Sequence, residues 1–228
     1  MVAADRLRRS ALWGAGGLGA LVLAVGALHL PCARSLLMRA GGCPFSQPLT
    51  LAQAEAARHV AMAPNRATGV APARPAMVFT LDQTTRDEAR AWARQHRLSC
   101  DSPSDAGLHC SNVPATALGL PPAPGTDAEV WLAFDAGGRL VNASTWRTHL
   151  SPDAASRTAG EIATSLTSRL GEPSWSAGAL DAEHLSGAPA ASLGSRAYRF
   201  GDYSAEIAAL NLPNSGIVVR EHYISARD

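Results

Sequence analysis

His96, Cys100, His109 and Cys110 fall within one short stretch of a 228-residue chain, and their side chains are the ones that hold metals or carry redox chemistry. Imidazole nitrogens and thiolate sulfurs are the usual zinc ligands, and a cysteine pair can alternatively cycle between thiol and disulfide. His96 and Cys100 are four residues apart, which on a helix places them on one face. Zinc sites more often use tight CxxC or HxxxH spacing, and on a strand His109 points away from its neighbour Cys110. The cysteines also admit a simpler reading. All four occur as local pairs, Cys32 with Cys43 and Cys100 with Cys110, and such an even count suggests disulfides in an oxidising compartment. Closing the loop between Cys100 and Cys110 is worth about 2–3 kcal/mol. The spacing thus favours two disulfides, with a metal or redox site at His96, Cys100, His109 and Cys110 as the alternative.

Other chemistry finds less support. GxSxG, Walker A and HExxH are absent from the sequence, so the nucleophile elbow, the phosphate cradle and the helical zinc site lack their usual signatures. Asp82, Asp87 and Glu88 cluster at a predicted helix start, where carboxylates cap the helix and complement its dipole. Asp181, Glu183 and His184 sit in a stretch rich in Ala, Gly and Ser, and His29, His59, His149 and His222 make no ligand spacing. Gly14, Gly16 and Gly19 spell GxGxxG, but without the strand before it that a dinucleotide site requires. Asn142-Ala143-Ser144 is a glycosylation sequon, meaningful only in a eukaryotic secretory pathway. The expectation is therefore no catalysis, no bound metal, no cofactor and no nucleotide.

The elements that must position these residues begin with Ala11–Leu30, an uncharged run preceded by Arg6, Arg8 and Arg9. About 20 apolar residues suffice to span a bilayer core of roughly 30 Å, and positive charge before the span keeps the N-terminus inside. Residues 11–30 are predicted to anchor the chain in an inner membrane with the C-terminal part in the periplasm. The alternative is a cleaved signal ending at Ala24-Val25-Gly26, which leaves a secreted periplasmic protein. Ala40-Gly41-Gly42-Cys43 is a poor lipidation site, because it does not follow the apolar run directly. All twenty basic residues are arginine and the net charge is only +1, a balance that gives no electrostatic case for nucleic acid. Residues 1–10 then form a cytoplasmic tail, 31–75 a juxtamembrane segment with a short helix from Thr50 and a Pro-rich linker, and 76–228 an extracytoplasmic domain.

In that domain Ala76–Leu81 reads as a strand, and Thr85 with Glu88 opens a helix through a capping box. Ala89, Trp92, Ala93 and His96 make its buried stripe. Strands follow around Leu108–Val113 and at Val130, Leu132 and Phe134, which alternate; DAGG at 135–138 then turns the chain into a hairpin with Arg139–Arg147. Ser151 caps the next helix, with Pro152 at its first position. Ala155, Ala159, Ile162, Leu166 and Leu170 recur at helical spacing, and Gly171 with Pro173 stops the helix. Residues 174–194 read as a long loop, followed by strands at 195–200, 203–210 and 217–224. Helix, strand, strand, strand thus occurs twice, and an internal duplication is one reading of that order.

Arg169-Leu170-Gly171-Glu172-Pro173, followed by a loop and a strand bearing Tyr198 and Phe200, resembles the small outer-membrane-assembly lipoproteins of the SmpA/OmlA type, in which a helix, an LGxP turn and a three-stranded sheet recur. The match covers about the last third of the chain. It implies an interaction module without catalysis. The fold class expected is α+β, with antiparallel sheet and packed helices after one N-terminal transmembrane helix. The expected function is binding to another protein of the bacterial envelope.

Overall fold

The computed structural model describes residues 50–102, 106–122, 125–187, 192–213 and 215–227. The apolar run at 11–30 and the Cys32 and Cys43 pair lie outside the described residues. No helix among the described residues is long and apolar enough to cross a membrane.

The chain is α+β, built on one large antiparallel sheet. Helix α1 spans Leu51–Met62 and starts at a capping box, in which the Thr50 hydroxyl accepts from Gln53 N–H and the Gln53 side chain answers to Thr50 N–H. The predicted strand at 76–81 is instead a small hairpin, β1 Pro75–Ala76 with β2 Phe79–Thr80, because Met77 adopts a φ of 59° and reverses the chain. Helix α2, Arg86–Gln95, opens with the expected Thr85/Glu88 box. Donation from the Thr85 N–H and hydroxyl holds the Glu88 carboxyl below its ordinary value. Strand β3 is Ser99–Asp101, β4 Gly107–Val113, β5 Ala128–Phe134 and β6 Leu140–Leu150. Helix α3 then runs Pro152–Leu170 and buries the predicted stripe, Ala155, Ala159, Ile162, Leu166 and Leu170, together with Thr158. The stretch read as a loop contains β7, Trp175–Ala177, and the one-turn helix α4, Ala182–Leu185. Strands β8 Leu193–Arg199, β9 Tyr203–Leu212 and β10 Gly216–Ser225 complete the fold.

The eight strands from β3 to β10 lie in the order β3-β4-β5-β6-β10-β9-β8-β7. Each half is a helix followed by four strands in chain order, one more strand per half than the predicted three. The strands missed are the edges β3 and β7. The two halves meet where β10 pairs with β6 from Ile217↔Leu150 to Ile224↔Asn142. Alternation sends Leu108, Val130, Leu132, Ile207, Val219 and Tyr223 to one face, into a core shared with α2 and α3. Ile162, Leu166 and Leu170 seal that face, each contributing about 1.5–3 kcal/mol by burial.

At the middle of the covered face sits a buried polar cluster. Arg147 is fully buried and donates to Glu221 Oε1 at 2.6 Å and to the Thr145 hydroxyl at 3.0 Å, while Thr145 also donates to Glu221 and the Tyr223 hydroxyl donates to the other Glu221 oxygen. Burial and the adjacent Glu221 charge push the Tyr223 hydroxyl well above its usual pKa. The cluster joins β6 to β10, and so fastens the two halves of the sheet to each other.

Candidate functional site

The helices α2 and α3 cover one face of the sheet; the other face carries the side chains that alternate with the core. Across it the strand registers align one residue from every strand. From Asp101 on β3 the row runs through His109, Trp131 and Ser144 to His222, Glu206, Ala197 and Trp175 on β7. The next row holds Glu129, Trp146, Arg220, Ala208 and Ser195.

Three tryptophans stand on this uncovered face, Trp131, Trp146 and Trp175, at 38%, 36% and 42% exposure. Each is held by a nitrogen-bearing neighbour. His109 stacks on Trp131 with centroids 4.8 Å apart and planes 19° from parallel. Arg220 lies 5.4 Å from the centre of Trp146, and Arg199 lies 5.7 Å from that of Trp175. Such cation–π contacts contribute about 0.5–1 kcal/mol at exposed sites, and here they fix rings that would otherwise swing. His109 is itself clamped, its Nδ1 3.0 Å from Asp101 and its Nε2 2.8 Å from Glu129.

The two halves share one part of this arrangement, the carboxylate. A rotation that exchanges β6 with β10 about the Thr145↔Glu221 pair brings Glu129 onto Glu206, by the registers of their hairpins. Glu129 bonds His109 on the strand beside it, and Glu206 accepts from Ser195 at the corresponding position. The half with β5 carries tryptophan and histidine where the other carries Ala208 and Ser195, so the aromatic platform belongs mainly to one half.

Helix α1 rests on this same face at one end of the sheet. Met62 packs on Ile224 and Ala226 as a small cluster separate from the main core. The Arg58 guanidinium donates to the Ser225 and Arg227 carbonyls, and Arg66 donates to the Ala226 carbonyl. Beyond this contact the helix stands off the sheet and leaves a cleft of about 330 Å³, lined by Leu51, Ala54 and Ala57 on one side and Ala133, Phe134 and Val141 on the other. A smaller cleft of about 130 Å³ lies against Met62, Arg199 and Glu206. His222 and Ile224 border both. Burial, and then the Arg220 charge, push His222 down to about 4, so its ring is neutral at pH 7. Its Nε2 faces the Asn142 amide at 3.4 Å.

The residues singled out as possible ligands do not converge. Cys100 and Cys110 are directly opposed on β3 and β4 and form the predicted disulfide. Cys110 is buried in the core, while His109 beside it lies on the uncovered face. His96 is the C-cap of α2, its ring 6.0 Å from Trp92. No group of His, Cys, Asp and Glu among the described residues is arranged to hold a metal ion. Asp82 pairs with Arg74 at 2.9 Å, and Arg74 also pairs with Asp202 at 2.8 Å. Asp87 and Glu88 lie in the first turn of α2, Asp181 caps α4, and His184 Nε2 is 3.1 Å from the Leu193 carbonyl.

Trp131, Trp146, Trp175 and His222 were not legible as a site. One signal was present: reading Val130, Leu132 and Phe134 as the core side of β5 leaves Glu129, Trp131 and Ala133 on the opposite side, and a tryptophan there is unusual. No protein-family model, curated protein or solved structure matches the chain.

Proposed function

We propose that the chain is a membrane-anchored periplasmic module of the bacterial envelope, which binds another envelope protein on the uncovered face of its sheet and performs no catalysis. The observation that carries this reading is the trio Trp131, Trp146 and Trp175 held on that face by His109, Arg220 and Arg199. Tryptophan and arginine are enriched among the residues that dominate binding energy at protein interfaces. Each of the three rings leaves on the order of 100 Å² to water, so covering it is worth ~2 kcal/mol. Their neighbours are already ordered, which lowers the entropy lost on binding.

The anchor at 11–30 and the inner-membrane location rest on the sequence, and a secreted protein after cleavage is the alternative. The Cys100–Cys110 disulfide supports an oxidising compartment, where such bonds persist. It also weighs against an envelope enzyme or metal protein using His96, Cys100, His109 and Cys110, because both sulfurs are engaged with each other. The mirrored strand order and the paired roles of Glu129 and Glu206 support a duplicated helix-and-strands unit. The resemblance to SmpA/OmlA-type proteins, and the non-catalytic role it implies, rests on α3, the Leu170-Gly171-Glu172-Pro173 turn and the strands β8 to β10 that come after β7 and α4.

The test is photo-crosslinking in intact cells, with a photoreactive amino acid in turn at Ser144, on the uncovered face, and at Glu161, on α3. A discrete envelope-protein adduct from position 144 and none from 161 is the expected result. No adduct from position 144, or the same adducts from both, would overturn it. Protease accessibility with N-terminal sequencing fixes anchoring, cleavage and sidedness together.

A further inference from the structure

We propose that the cleft between α1 and the uncovered sheet face is a binding site for an uncharged apolar chain, an acyl or alkyl group of about a dozen heavy atoms carrying one hydrogen-bond acceptor. The inference stands apart from the protein-binding face, since it concerns the cleft behind α1 and not the tryptophans.

The cleft exists because α1 is seated only at its C-terminal end, through Met62, Arg58 and the C-terminal strand. Leu51, Ala54 and Ala57, on the helix side of the cleft, remain exposed although Ala133, Phe134 and Val141 line its other wall. Two apolar walls that face each other without touching leave their surface in water, and an apolar guest between them recovers that burial. The volume of about 330 Å³ reaches the size of small-molecule sites, which begin near ~300 Å³. It is about twice the ~150 Å³ that accommodates a benzene ring, which sets the size of the guest.

The polar groups of the cleft select against negative charge. Glu55 pairs with Arg58 at 3.4 Å, and the Arg58 guanidinium is committed to the carbonyls of Ser225 and Arg227. It therefore has no free edge for a carboxylate. Asp135, at the β5–β6 turn, accepts from the Arg139 N–H and repels an anionic head. His222, on the floor, is neutral through burial. With the Asn142 amide donating to Nε2, the hydrogen of His222 resides on Nδ1, a donor suited to an ester or similar carbonyl. An anionic head brought here loses its water without a partner, which is costly.

Such a chain can come from a membrane lipid or from a free molecule, and two probes separate the sources. The full chain in lipid nanodiscs is irradiated with methyl decanoate bearing a diazirine on its chain, or with a phospholipid bearing the diazirine in an acyl chain. Saturable adducts on peptides containing Leu51–Arg58 and Val141–Asn142, from either probe and competed by unlabelled methyl decanoate, are expected. Labelling by the free ester points to a soluble ligand, and labelling by the phospholipid points to a bilayer acyl chain. Ala54→Trp, an addition on the cleft-facing side of α1 that leaves the main core untouched, should cut these adducts at least tenfold, as should Val141→Trp; the decanoate analogue should label at least tenfold less. Circular dichroism and thiol counting establish that each variant is folded. Labelling that fails to saturate, maps elsewhere, persists in Ala54→Trp or is equal for the decanoate probe overturns the proposal.

Discussion

Arg220 and Trp146 are direct cross-strand partners on β10 and β6, and the guanidinium carbon lies 5.4 Å from the centre of the indole. The contact crosses the junction between the two halves of the sheet, so one residue from each half builds the centre of the uncovered face. Cross-strand pairs of this kind contribute only about 0.2–1 kcal/mol to the fold. Their larger effect is to hold the ring ready. Trp146→Ala should therefore change unfolding free energy by no more than about 1 kcal/mol while lowering the yield of the envelope adduct from position 144 at least about tenfold, as for an interface hot spot. Arg220→Ala should do the same to a smaller degree. Unchanged adduct yield in both variants, with thermal unfolding in the parental range, would remove this face from the binding reading.

The Arg147–Glu221 pair makes a prediction with the opposite balance. Both side chains are buried, and Arg147 Nε and Nη2 find no hydrogen-bond partner among the described residues. Removing one partner strands the other charge in the core, at about 3–5 kcal/mol, whereas replacing both by apolar residues of similar size is often neutral or stabilising. Chemical denaturation should thus show Arg147→Met and Glu221→Leu each strongly destabilised and the double variant recovering most of the loss. A double variant as unstable as the sum of the singles would mean that the pair specifies the β6–β10 junction rather than merely compensating itself.

The local parts of this fold were legible and the non-local parts were not, for physical reasons that particular residues display. Helix α3 announced itself because Ala155, Ala159, Ile162, Leu166 and Leu170 share one face, and Ser151, Pro152 and Gly171 punctuate it. The Thr85/Glu88 box and the Cys100–Cys110 bond are local as well. By contrast β3 and β7 are three residues each and lie at the sheet edges with no buried position, so they carry no alternation to detect. The pairing of β6 with β10 brings together Arg147 and Glu221, 74 residues apart, and periodicity says nothing of partners. Nor does it reveal α1 on the uncovered face, since that seat depends on Met62 meeting Ile224 and Ala226. The site was obscured for the same reason: Trp131, Trp146 and Trp175 come from three separate strands that only the sheet order brings together.

The disulfide ties the edge strand β3 to β4, immediately beside the Asp101–His109 contact. A loop of this length should contribute about 2–3 kcal/mol, chiefly by restricting the unfolded chain. Cys100→Ala with Cys110→Ala should lower the unfolding free energy by that amount in urea titrations and leave the denaturant slope almost unchanged. Because β3 has few other ties, hydrogen exchange should rise first at residues 99–101 and 109–111, while β6 and β10 stay protected. Uniformly faster exchange over the whole sheet would show that the bond stabilises the domain globally rather than its edge.

His222 gives the fold a defined response to acid. In the folded chain burial and the Arg220 charge hold its pKa near 4, against 6.5 when unfolded. Glu206 is its direct neighbour on β9, and Glu55 and Arg58 face the adjoining cleft from α1. Between those two values the unfolded chain binds the extra proton and the folded chain does not, so stability rises with pH there. The contribution is fully present above pH 6.5 and is lost as pH falls toward 4, on the order of 3 kcal/mol for a shift of this size. Unfolding titrations between pH 4 and 7 should show this slope in the parental chain and its loss in His222→Gln, which keeps a donor and an acceptor but does not titrate. If the slope survives in His222→Gln, the acid sensitivity belongs to other groups, and the neutral floor assigned to the cleft loses its independent support.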